Sequence, residues 1–181
     1  FNTALPTDFE SSKSSFVLEP GDSDSAVMET SIGQGKTLVT PFHMALIASA
    51  IANDGVLMKP YVIDRITDAE GEVVEQYEPA EYKTLLSESD ASVLQEYMRY
   101  VVEEGTATKL KSDSYEAAGK TGSAEFSSSS DATHSWFVGY AHSGEEPDIA
   151  VAVIVENSGV GSEYAVPIAK QIFDAYYTWE N

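Results

Sequence analysis

Lys120-Thr121-Gly122-Ser123-Ala124-Glu125 is the stretch on which the reading of this chain turns. It follows Glu116-Ala117-Ala118-Gly119 and leads, through a serine-rich loop, into His134-Ser135-Trp136-Phe137-Val138-Gly139-Tyr140-Ala141. A lysine, a small hydroxyl residue and a glycine in succession suit the gripping of an extended ligand with a carboxylate tail. Lys120 brings positive charge and Thr121 a hydroxyl donor. Gly122 has no side chain to obstruct a second backbone. Side chains alternate along a strand, so Thr121 and Ser123 share one face while Lys120 and Gly122 lie on the other. A ligand touched by both Lys120 and Thr121 therefore requires strand twist or a cleft at a sheet edge. The bland alternative is a strand lysine with its amine in solvent.

Further segments occur in one order around this motif. They are Ser31-Ile32-Gly33-Gln34-Gly35, Thr40-Pro41-Phe42-His43-Met44-Ala45, Ile51-Ala52-Asn53-Asp54-Gly55, Lys59-Pro60 and Gly105-Thr106-Ala107. With Ala118-Gly119-Lys120-Thr121-Gly122, their order and spacing resemble the C-terminal half of the transpeptidase domain of class B penicillin-binding proteins. The likeness runs from about Ser31 to the C-terminus. It implies an α+β fold, an antiparallel sheet flanked by helices, forming part of a serine β-lactamase-like transpeptidase domain.

It also implies a function. The family's complete enzyme cross-links peptidoglycan stem peptides through an acyl-serine intermediate, and β-lactams trap the same serine. By resemblance, Lys120 faces the catalytic cleft beside the serine of a second motif, S-x-N. The Thr121 and Ser123 hydroxyls, with Gly122 between them, bind the carboxylate of the peptide or β-lactam. The Ser123 N–H is then one donor of the oxyanion hole. The expected partners are stem peptides, β-lactams and other cell-wall synthesis proteins. The expected location is the outer face of the cell membrane, with an N-terminal anchor outside this sequence.

The nucleophile is missing from the chain. No lysine has a serine three residues before it, so S-x-x-K is absent, and no asparagine has a serine two positions before it. The chain begins at Phe1. The simplest expectation is a fragment that is catalytically dead alone and whose uncovered apolar faces drive self-association. Two other readings stay open: a non-catalytic homologue that senses wall peptides or β-lactams, and a plain acidic domain with a chance triplet.

At 181 residues and 43% hydrophobic, the chain has the size and core of one domain. The 30 acidic against 10 basic residues give a net charge of −20, a surface that repels phosphate backbones and argues against nucleic-acid binding. The absence of cysteine excludes disulfides and thiolate chemistry. The three histidines have no helical ligand spacing, so neither metal nor cofactor is expected. His134, His43 and His142 read as peripheral polar residues, and Trp136 and Phe137 as core, one of them bordering the cleft. Gln34 is a candidate for the floor of the site, although its glycine neighbours also read as simple turn formers.

Residues 1–30 read as irregular connection with a short strand at Phe16-Val17-Leu18. Thr40-Pro41 reads as a helix start running to Asn53, with Phe42, Ala45, Leu46, Ser49 and Ala50 inward. A strand broken by Pro60 is expected over Val56–Thr67, then a turn and a hairpin partner over Glu72–Tyr77. Ser87 or Ser89 caps a helix carrying Val93, Leu94, Tyr97, Met98, Val101 and Val102, closed at Gly105. Three antiparallel strands are expected at Tyr115–Phe126, Ser135–His142 and Ile149–Glu156, the first two joined by a polar loop over 127–133. The last of these is apolar on both faces, as a central strand covered by helices would be. A closing helix over Tyr164–Trp179 is expected to turn Ile168, Ile172, Ala175 and Tyr176 inward.

Overall fold

The computed structural model describes residues 1–126, 133–144 and 147–179. The polar connection expected over 127–133 falls, apart from Thr133, outside the described residues. The centre of the fold is an antiparallel sheet of β5 (Glu116–Glu125), β6 (Thr133–His142) and β7 (Ile149–Val155), in that order. Helices α2 (Pro41–Ala52) and α3 (Glu88–Glu103) pack on one face, and α4 (Ala165–Trp179) covers the other. This is the α+β arrangement expected, with each of the three strands within two residues of its expected bounds.

The register shows how one strand serves both layers. Ala118 of β5 opposes Tyr140, which opposes Ala150, and this row packs with Ile51, Ala52 and Met98 beneath α2 and α3. The alternate row holds Ala117, Phe137, Ala141, Val151 and Val153, packed on Val166, Ala169, Phe173 and Tyr177 of α4. Phe137 and Phe173 are fully buried and meet edge to face at 6.5 Å between centroids. Burial of two such rings contributes roughly 2–3 kcal/mol each.

Capping sets the helix starts. Thr40 accepts a hydrogen bond from the His43 N–H and Pro41 follows at the first turn, as the sequence implies. Ser87 rather than Ser89 caps α3, accepting from the Asp90 N–H. Gly55, at φ 89°, closes the α2 turn where a Cβ would lie 2.4 Å from the Leu86 carbonyl oxygen.

Several expectations fail, for identifiable reasons. Residues 1–30 are not all irregular: α1 (Asp24–Ser31) forms behind a Ser23 cap. It buries no residue, so it leaves no amphipathic pattern to read. The strand expected at Phe16-Val17-Leu18 is a single bridge between Ser15 and Leu38. Val56–Thr67 is two strands in two small sheets. Thus β1 (Val56–Met58) pairs with an unanticipated β4 (Glu81–Thr84), whereas β2 (Arg65–Thr67) forms the expected hairpin with β3 (Val73–Gln76).

Two helix faces are also turned. Helix α3 buries Met98 and Val102 and packs Val101 on the core as expected, but it also buries Ala91 and leaves Val93 and Tyr97 exposed. Helix α4 buries Ala165, Val166, Ala169, Phe173 and Tyr177; of its expected residues Tyr176 packs on the core, while Ile168, Ile172 and Ala175 face outward. Each helix carries two apolar stripes at compatible spacing, and only the sheet decides which is covered.

Gly139 of β6 sits opposite Gly119 of β5 and close against its backbone. A Cβ there would lie 2.2 Å from the Ala118 carbonyl oxygen and 2.7 Å from the Phe137 ring. Gly139→Ala is expected to lower unfolding free energy by about 1–3 kcal/mol in urea titrations. Gly144→Ala meets nothing within 4 Å and should leave the midpoint in place.

Candidate functional site

Among the described residues strand β5 pairs with β6 alone, so it is an edge of its sheet. In an antiparallel ladder alternate residues direct both N–H and C=O to the partner, and the others direct them outward. The Thr121 carbonyl accepts a hydrogen bond from Lys120 Nζ at 2.7 Å, and the Ser123 carbonyl accepts one from Gln34 Nε2 at 3.2 Å. Thr121 and Ser123 are therefore the residues whose backbone faces the open edge. The Ser123 N–H points the same way as its carbonyl, out from the edge of the sheet.

This geometry answers the parity conflict. Lys120 and Gly122 occupy the face toward α2, and the Thr121 and Ser123 side chains the face toward α4. The exposed Lys120 folds its ammonium around the open edge to the Thr121 carbonyl. A ligand lying along that edge is within reach of groups from both faces.

Each hydroxyl is held by a loop. Thr121 Oγ1 lies 2.6 Å from Thr106 Oγ1, and Ser123 Oγ accepts from the Gly161 N–H at 3.4 Å. Gly161 crosses the motif so closely that a Cβ on it would lie 2.5 Å from the Trp136 carbonyl oxygen and 2.7 Å from that of Gly122. One close backbone approach at Gly122 is thus made by the chain's own loop. That loop is anchored by Ser135, fully buried, which donates to the Val160 carbonyl and accepts from the Ala165 N–H, both at 3.0 Å.

Gln34 reaches the site from the turn after α1. Its neighbours Gly33 and Gly35 have φ of 77° and 75°, so the glycines are needed for the turn and Gln34 is also needed for the bond. Beyond it, on the Lys120 face, lies a groove of about 810 Å³ walled by Gln34, Leu38, Ala124, Phe126, Trp136 and Ile154. Trp136 is the aromatic that borders this groove, and Phe137 the one in the core.

His134 accepts from the Asn157 N–H through Nδ1 at 3.0 Å and stacks on Phe126 with 4.4 Å between centroids. It stands opposite Ala124 at the end of the sheet and borders the same groove. Thr106, Gly161 and Ser135 are the site residues that sequence reasoning missed. Gly105-Thr106-Ala107 was visible as a segment, but nothing in it showed that its hydroxyl meets Thr121.

The site is thus the open edge of an antiparallel sheet between helices, with a lysine and two hydroxyls along it. Residues 1–174 match the penicillin binding protein transpeptidase domain, and the chain belongs to that family. It is 30% identical to penicillin-binding protein 3 of Bacillus subtilis, over 97% of this chain and 26% of that protein. It is 31% identical to the peptidoglycan D,D-transpeptidase PbpA of Mycolicibacterium smegmatis, over 78% of this chain and 30% of that protein.

Solved structures agree. Penicillin-binding protein 2B from Streptococcus pneumoniae superposes with a TM-score of 0.81 at 26% identity, over 98% of this chain and 30% of that one. The imipenem acyl-enzyme of penicillin-binding protein A from M. tuberculosis gives 0.76 at 30% identity, over 87% and 35%. The chain thus spans about a quarter to a third of these proteins.

Gly161→Ala is expected to push its loop off β5 and break the bond to Ser123. Unfolding free energy should fall by about 1–3 kcal/mol, with faster amide hydrogen exchange at Gly122 and Ser135. Protection unchanged at both residues would show that the loop does not brace the strand.

Proposed function

We propose that this chain is the ligand-gripping part of a peptidoglycan D,D-transpeptidase. The observation that carries this reading is the open edge of β5, where Lys120, Thr121 and Ser123 meet beside a groove on the lysine's face. A peptide ending in D-alanyl-D-alanine lies along that edge. Its terminal carboxylate takes hydrogen bonds from the Thr121 and Ser123 hydroxyls in the field of the Lys120 ammonium. Because the whole chain carries a charge of −20, this local cation matters for holding an anion.

The nucleophilic serine comes from outside this sequence, on a segment that occupies the groove between Gln34 and Trp136. Serine Oγ attacks the penultimate carbonyl, and the developing oxyanion is met by the outward-facing Ser123 N–H. The carbon–nitrogen bond breaks, terminal D-alanine leaves with a proton, and an acyl-serine ester remains. An amine from a neighbouring stem peptide then displaces the serine and forms the cross-link. A β-lactam follows the first half of this course: its ring amide opens on the serine and the ester persists. The complete protein works at the outer face of the cell membrane beside other wall-building proteins.

The lack of S-x-x-K within the chain also supports a second reading, a homologue that binds wall peptides or β-lactams without turnover. The coding sequence upstream of Phe1 discriminates, since an intact S-x-x-K there selects the enzyme.

Purified as given, the chain is expected to form no covalent adduct with a fluorescent penicillin, whereas the protein extended to include the serine is labelled. In that longer protein Lys120→Ala should slow labelling by a factor of about a hundred, the scale of one lost charge-assisted contact at a reacting centre. Labelling of the short chain, or a Lys120→Ala variant labelled at full rate, would remove the proposed role.

The short chain also exposes Ile168, Ile172 and Trp179 on α4, and among the described residues β7 pairs with no strand other than β6. Open edges and apolar stripes invite pairing. Light scattering should therefore show species larger than 19.6 kDa; a monodisperse monomer contradicts this expectation.

A further inference from the structure

Gly105-Thr106-Ala107 is built to present one hydroxyl. A Cβ on Gly105 would lie 2.8 Å from Val101 Cα and 2.9 Å from the Val101 carbonyl oxygen, so the chain turns flush against the last turn of α3. Ala107 is fully buried and its N–H donates to that same Val101 carbonyl at 3.0 Å. Thr106 is held between these two anchors. Its exposed side chain has Oγ1 at 2.6 Å from Thr121 Oγ1, a short hydroxyl–hydroxyl hydrogen bond.

A threonine hydroxyl has one proton to donate and two lone pairs to accept with. Two polarities therefore exist for this pair. If Thr121 donates to Thr106, Thr121 has no proton left for an anion at the edge of β5. If Thr106 donates to Thr121, the Thr121 proton is free and aimed outward. A carboxylate is acceptor-only, so its arrival selects the second polarity. In that state the two hydrogen bonds run in sequence toward the anion and polarise each other, which strengthens both.

We propose that Thr106 is a positioning residue of the carboxylate site, donating to Thr121 so that the Thr121 hydroxyl is held ready for the ligand. The proposal rests on the reading of Lys120 to Ser123 as a carboxylate grip. It extends that grip to a residue on another element, one that touches no ligand itself.

The test uses the complete protein that includes the nucleophilic serine, and compares two acylating probes. One is a fluorescent penicillin with a free carboxylate, the other a neutral β-lactone without one. Thr106→Val keeps the side-chain shape and removes the donor. It should slow penicillin labelling about tenfold, the scale of one hydrogen bond, while β-lactone labelling and the thermal midpoint stay unchanged. Thr106→Ser should restore the penicillin rate. In a Thr121→Val background, Thr106→Val should add no further loss, because the two act in series.

Penicillin labelling at full rate in Thr106→Val overturns the proposal. So does equal slowing with both probes, which marks a structural role. The underlying reading fails separately: if Lys120→Ala and Thr121→Val both label normally with penicillin, the motif is no carboxylate grip. If Thr121→Val slows labelling and Thr106→Val does not, the grip stands and only the positioning role falls.

Discussion

Strand β5 is hydrogen-bonded along one side, and that asymmetry organises the site. An edge strand leaves half its amides without a ladder partner, which is ordinarily a route to aggregation. Here the outward carbonyls of Thr121 and Ser123 are taken up by Lys120 and Gln34 side chains. The carbonyls are satisfied within the chain, so in the proposed site the outward N–H groups are the ones that receive ligand. A central strand in the same place would have its N–H groups consumed by a neighbour. An unbraced edge would leave the donors poorly aimed.

Bracing comes from three points far apart in sequence. Gln34 is 89 residues from Ser123, Gly161 is 38 residues from it, and Thr106 is 15 residues from Thr121. Each arrives on a loop whose own geometry is constrained: left-handed glycines around Gln34, a buried serine beneath the Gly161 loop, and a glycine packed on helix backbone before Thr106. Preorganised donors act on a developing charge without a reorganisation cost at the moment of reaction. Rigid loops on a stiff sheet are a physical way to obtain that preorganisation.

What the sequence revealed and concealed follows from the range of the interactions. Strands β6 and β7 were legible because β-branched and aromatic runs are bounded by polar breaks, β5 because it holds the Lys-Thr-Gly motif, and Thr40 and Ser87 because capping is local. Lys120, Thr121 and Ser123 were identified as a unit, and the conflict between their alternating faces was visible too. Its resolution was not, because whether a strand is an edge depends on pairing elsewhere. Thr106 and Gly161 were invisible as site residues for the same reason: their contacts are tertiary. Helix α1 buries nothing, so periodicity had no grip on it. The inward faces of α3 and α4 were misread where two apolar stripes competed.

Those competing stripes bear on function. Ile168 and Ile172 lie on the outward side of α4, β7 is apolar on both faces yet, among the described residues, unpaired along its outer edge, and the groove beside Gln34 is walled by Leu38, Trp136 and Ile154. A helix or strand with apolar residues on more than one side is suited to being covered on more than one side. The groove also lies on the face that carries Lys120, where the proposed chemistry requires a nucleophile. In the transpeptidase we propose, a segment seated there brings its serine beside the ammonium and excludes water from the edge of β5. Exclusion of water then strengthens the proposed attraction between Lys120 and a ligand's carboxylate. On that proposal, covering the apolar wall and assembling the reacting groups are one event, and burial of that wall supplies the driving force that holds the groups together.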